Sequence, residues 1–154
     1  MKRLFCILLA TLATTLTLSA QRVEVGSKAP LIGQVEWISD TPQLGERFLM
    51  VEFFHSANED CRAHIDPCNA ISHTFLEQMD VVVLTKEPSE QVTSLLMHEY
   101  QFFYAASDES GKTFQAFGAN HVPFAVIVDL QGVVIWTGNP WTLSKDIIEN
   151  LIAQ

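Results

Sequence analysis

The chain has 154 residues, nine Lys and Arg against eighteen Asp and Glu, and a formal net charge of −9. A surface this acidic repels phosphate backbones and excludes nucleic acid and anionic lipid as partners. Three cysteines are too few for a disulfide scaffold.

Residues 1–20 read as a secretory leader. Lys2 and Arg3 precede an apolar, Thr-rich run from Leu4 to Leu18, and Ser19-Ala20 supplies the small residue at which cleavage is expected. The run is shorter than the ~20 apolar residues that span a bilayer comfortably. No small-residue lipobox leads into Cys6, so no lipid anchor is expected. Residues 21–154 then form one domain large enough to bury a core. The leader holds two of the nine basic residues and none of the eighteen acidic ones, leaving seven against eighteen, a net −11. No internal repeat, low-complexity tract or linker interrupts this stretch.

Val25 to Pro30 is a turn-rich lead-in, and Ile32 to Ile38 alternates enough to predict an edge strand. Phe48 to Phe54 is almost continuously apolar, the pattern of a strand covered on both faces. A helix is expected from Asn58 or Glu59 to about Gln78: Asn58 is a good cap, and Glu59 and Asp60 suit the positive end of the dipole. Pro67 should kink or restart that helix. Val81 to Leu84 predicts a second buried strand. Pro88 opens a helix carrying Val92, Leu95, Leu96 and Tyr100 on one face. Phe102 to Ala105 predicts a short strand, and Lys112 to Phe117 a short helix stopped by Gly118. The runs from Phe124 to Val128 and from Val133 to Trp136 flank Asp129-Leu130-Gln131-Gly132, a hairpin signal. Thr142 or Ser144 caps a last amphipathic helix. This order specifies an α/β architecture with helices on both faces of a central mixed sheet.

The strand-to-helix turn around Val51 to Arg62 is where a Cys-x-x-Cys pair would sit, yet it offers Asn58 and Cys61, one thiol instead of two. The chain resembles the exported thioredoxin-like proteins of the TlpA and ResA type over residues 24–154. The resemblance rests on the Val25 to Pro30 entry, the Val51-Glu52-Phe53-Phe54 strand, Cys61-Arg62-Ala63-His64-Ile65, Phe117 to Pro123, the Val126 to Gly132 hairpin and Trp136 to Pro140. It implies a thioredoxin-like fold. It also implies that Cys61 holds the place of the resolving cysteine, that Glu52 is the buried carboxylate handling its proton, and that Pro123 is a cis-proline beside the site. Asn58 departs from the pattern at the attacking cysteine, Ala57 at a common tryptophan, and Glu59-Asp60 at a common Gly-Pro.

Each group also has a plainer role. A free cysteine often packs as a small hydrophobe, and adjacent Glu59 and Asp60 disfavour a thiolate at Cys61. Peroxiredoxins also keep only the second position, but Phe54 stands where their proline is expected. On a straight helix Cys61 and Cys68 are ~10 Å apart, beyond the roughly 7 Å that a disulfide tolerates. Cys61, His64 and Cys68 share a helical face, with His121 near through the proline loop, but spacing and ligand count fall short of a metal site. No metal or cofactor is expected.

Two functional expectations follow. In one, a protein of the thiol-disulfide redox lineage has lost dithiol oxidoreductase activity. It binds an extended protein segment by strand addition between Asn58 and the Val122-Pro123 edge. In the other, Cys61 works as a monothiol that forms mixed disulfides with a protein or small thiol, or runs weak peroxidase-type chemistry, with Glu52 managing its proton. The resemblance implies a bacterial periplasmic location, with full secretion as the alternative.

Overall fold

A computed structural model describes residues 22–154; the expected leader lies outside them. Six strands form one sheet in the order β1-β4-β3-β2-β5-β6. They are β1 (Glu36–Trp37), β2 (Phe48–Phe54), β3 (Met79–Thr85), β4 (Tyr104–Ser107), β5 (Phe124–Val128) and β6 (Val134–Gly138). β2, β3 and β4 run parallel, while β1 and the β5-β6 hairpin pair antiparallel. The sheet is mixed, as expected from apolar runs that alternate with helices and end in a hairpin.

Side chains alternate across a strand, so β2 feeds two cores. Met50 and Phe54 join Cys61, Ile65, Cys68, Phe75, Val92, Leu96 and Ile148, beneath α1 (Glu59–Ala63), α2 (Ile65–Thr74), α3 (Ser89–Leu96) and α5 (Lys145–Ile152). Val51 and Phe53 point the other way, to Phe114, Phe117 and Phe124 beneath α4 (Lys112–Ala116) and the lead-in segment. Phe53 meets the Phe114 ring edge-on at 4.8 Å. By the same alternation, Glu52 shares the face of Met50 and Phe54 and is buried under α1 and α2.

The long helix expected from Asn58 to Gln78 is two helices, broken at His64 and not at Pro67. Pro67 lacks the N–H that would reach Ala63, and its ring collides with that carbonyl, so the chain gives way one turn earlier. Pro67 then falls in the first turn of α2, where its missing N–H is tolerated. His64 serves both helices: its N–H reaches Asp60 O and Cys61 O, and its carbonyl accepts from Cys68 N at 2.8 Å.

Three other expectations change. The predicted edge strand pairs with β4 only over Glu36–Trp37 and the Ile38 N–H, while Gly33 N–H donates to Thr113 Oγ1 at 3.2 Å instead of to a ladder. β4 starts at Tyr104, not Phe102, since Asn69 Oδ1 accepts the Phe102 N–H and the Gln101 amide takes the Phe103 carbonyl. Tyr100 lies beyond α3 and is 75% exposed, not part of its buried face. Ser144, and not Thr142, caps α5, accepting from Ile147 N.

Candidate functional site

The site lies at the C-terminal end of β2, where the strand turns into α1. Asn58 is the cap of α1: its Oδ1 accepts the Cys61 N–H at 3.0 Å. The same side chain donates from Nδ2 to the Val122 carbonyl at 3.3 Å. One amide thus satisfies a helix-start donor and ties the helix to the loop before Pro123. The Val122–Pro123 peptide bond is cis. Asn58, Val122 and Pro123, expected to share one groove, are neighbours.

Cys61 is the third residue of α1 but faces inward, with no exposed surface. Burial pushes its thiol pKa up. A hydrogen bond with the His55 backbone works the other way, but the charges of Glu52, Asp60 and Glu87 add to the rise. Cys68 is buried deeper, and burial followed by the nearby Glu52 carboxylate raises it well above the ordinary thiol range. Both cysteines are free.

The resemblance implies that Glu52 handles the proton of Cys61. In the structure its carboxylate faces a histidine: His64 Nδ1 lies 2.9 Å from Oε1 and 3.1 Å from Oε2, and both side chains are 2% exposed. The His64 ring meets Trp141 edge-on at 4.8 Å, and the indole N–H donates to Asp60 O at 3.3 Å. Trp141 therefore lies over the pair. This pairing was missed, although a signal existed. A carboxylate inside an apolar strand requires a partner, and His64 lies one helical turn past Cys61 on the same face.

Glu87 was also missed. From the β3-α3 loop its carboxylate accepts the Ser56 N–H at 2.8 Å, the Ser56 hydroxyl and the Thr85 hydroxyl at 2.9 Å, with His55 Nδ1 at 3.7 Å. Partial burial alone would raise this carboxyl. The Ser56 and Thr85 hydrogen bonds and His55 outweigh that and hold it below its ordinary value. Nothing in the sequence marked it, because Ser56, which takes both its oxygens, lies in a turn 31 residues earlier. Glu87 pins the turn that delivers Asn58.

Among the described residues, no group of three or more His, Cys, Asp and Glu side chains could hold a metal ion. His64, once weighed as a ligand, is turned to Glu52, and His121 lies on the surface against the Phe124 ring at 5.4 Å.

No protein-family model and no curated protein matches the chain. Solved structures do. A protein assigned as the thiol:disulfide interchange protein DsbE of Chlorobium tepidum superposes with a TM-score of 0.66 at 19% identity, covering 85% of this chain and 96% of its own. The fold is thioredoxin-like. The reduced 2-Cys peroxiredoxin of Plasmodium vivax gives 0.63 at 15% identity over 84% and 80%. A secreted disulfide oxidoreductase of Mycobacterium tuberculosis gives 0.58 at 14% identity over 70% and 81%. On this thioredoxin-like frame, the helix start carries an amide and a buried thiol, with a His–Glu pair behind them. No helix among the described residues is long and apolar enough to cross a membrane.

Proposed function

We propose that this is an exported, thioredoxin-fold protein of the thiol-disulfide redox lineage that has given up dithiol exchange. It binds an extended protein segment along the groove between Asn58 and the Val122-Pro123 edge. The observation that carries this reading is the double use of Asn58. Its amide caps Cys61 N and holds Val122 O, at the position where exchange chemistry needs a free nucleophile. An amide cannot attack a disulfide, and the thiol behind it is buried with a raised pKa.

Strand addition remains available at the groove. Among the described residues no hydrogen bond engages the Val122 N–H. The Val122 carbonyl keeps a second lone pair beside the one Asn58 occupies. An extended segment can pair with both groups, as strand-adding partners do. Export is supported by the leader-like residues 1–20 and by the likeness to a secreted oxidoreductase.

The test is thiol labelling of the folded protein with a disulfide reagent, alongside reduction of insulin by dithiothreitol. Neither Cys61 nor Cys68 should label until the protein unfolds, and insulin reduction should match the protein-free control. Rapid labelling of Cys61 at neutral pH, with turnover that disappears in Cys61→Ala, would replace this reading with monothiol catalysis.

A further inference from the structure

A small cavity of about 110 Å³ opens beside the same groove, and its walls include Phe54, His55, Lys86, Phe114, His121 and Val122. Its floor is aromatic and its rim is basic. Residues 21–154 hold only seven Lys and Arg, yet one of them and two histidines converge here. Arg47 and Lys145 are tied to Asp80 and Glu149, and Lys28 and Arg62 to backbone carbonyls. Lys86, like Arg22 and Lys112, has no such tie among the described residues, but it alone lies at this cavity, its ammonium 5.2 Å over the Phe114 ring. His121 contributes a ring with no hydrogen bond among the described residues. His55 Nδ1 lies 3.1 Å from the Ala57 N, on the side of the ring turned toward Glu87. Glu87 is the acidic neighbour, 3.7 Å from His55 Nδ1, and its oxygens are already engaged by Ser56 and Thr85.

We infer that this pocket selects an acidic side chain on the extended segment bound at the Val122 edge. The inference rests on the groove reading and deepens it by naming the class of segment. Val122 supplies pairing to the backbone of the segment. The neighbouring cavity has room for a short methylene stem over Phe54 and Phe114 and places Lys86 and His121 to meet the carboxylate. A charged hydrogen bond of this kind, on an otherwise strongly acidic protein, favours Glu or Asp over its neutral amide and disfavours Lys. Elsewhere the net negative surface repels acidic segments, so the preference depends on this one pocket.

The experiment is an amide-resolved NMR titration of the ¹⁵N-labelled protein with three blocked peptides, Thr-Val-Thr-Glu-Val-Thr and its Gln and Lys counterparts. Glutarate is titrated as the free dicarboxylate. The Glu peptide should shift Val122 and Lys86 and bind about five-fold tighter than the Gln peptide, the Lys peptide being weakest. Lys86→Met should abolish the Glu preference, bringing the affinities of the Glu and Gln peptides together; His121→Gln should reduce it. Equal affinity for Glu and Gln peptides, with Val122 shifting in both, would overturn the pocket and leave the groove. Glutarate binding as tightly as the Glu peptide would overturn the segment assignment. No shift with any peptide would overturn groove and pocket together.

Discussion

At the scale of single residues, the buried Glu52–His64 pair controls the most free energy for its size. Both partners are nearly sealed from water, and the carboxylate meets the imidazole through both oxygens, with the Cys68 thiol as a further hydrogen-bonding neighbour. Removing one member of such a pair strands the other, at about 3 kcal/mol or more. His64→Ala should therefore lower unfolding free energy by roughly that amount in urea titrations. Glu52→Gln, which leaves a neutral amide facing the ring, should lose less. A His64→Ala loss below about 0.5 kcal/mol, the range of surface changes, would show that the carboxylate is satisfied by something else. Glu87 gives a pH signature. Its folded carboxyl lies below the ordinary 4.5, so its contribution is complete above that value and drains away as pH falls through the lower folded value. Glu87→Gln should thus be less stable than wild type at pH 7, and the gap should close on acidification below 4.5. A gap that widened in acid would reverse the assigned direction.

At the scale of elements, the α1 cap is where the site can be rebuilt. Asn58→Ala removes both the cap to Cys61 N and the tie to Val122 O and should cost about 1 kcal/mol. Asn58→Cys returns a thiol three residues before Cys61 at a helix start, a spacing compatible with disulfide geometry. In oxidising buffer this variant should lose two reactive thiols after unfolding. Continued titration of all thiols would mean that the turn no longer presents position 58 toward Cys61. The same elements show what the sequence could and could not reveal. β2, β3 and the β5-β6 hairpin were legible because continuous apolar runs and the Asp129 to Gly132 turn encode them locally. The interruption of the long helix was legible from Pro67; its position at His64 was not, because the ring collides with a carbonyl four residues back and moves the break upstream. β1 and β4 were misjudged at their ends because Thr113, Asn69 and Gln101 side chains take backbone groups that a ladder would have used. Local pattern carries no trace of the Thr113 and Asn69 partners, which lie 80 and 33 residues away. Asn58 was legible as a cap. Its bond to Val122 was not, since 64 residues separate them.

At the scale of the whole molecule, charge imbalance sets up two opposite responses to salt. Eighteen carboxylates face seven Lys and Arg over residues 21–154. Among the described residues only Arg47–Asp80 and Lys145–Glu149 join Lys or Arg to a carboxylate. Compact folding brings the excess negative charge together and is opposed by its self-repulsion. Raising ionic strength from about 0.01 M to 1 M shortens the screening length from roughly 30 Å to 3 Å, which removes most of that long-range repulsion. The melting temperature should therefore rise by a few degrees with sodium chloride, since about 1 kcal/mol moves a domain of this size by roughly 3–5 °C. The buried Glu52–His64 pair contributes little to this response, because screening acts on exposed charges. Binding of an acidic segment at Lys86 should move the other way, weakening over the same range as its exposed ammonium is screened. The two titrations share one cause and differ in sign. A melting temperature that falls with salt would mean that the few surface ion pairs outweigh the excess of carboxylates, and the acidic surface would then no longer explain why selectivity is confined to the Lys86 pocket.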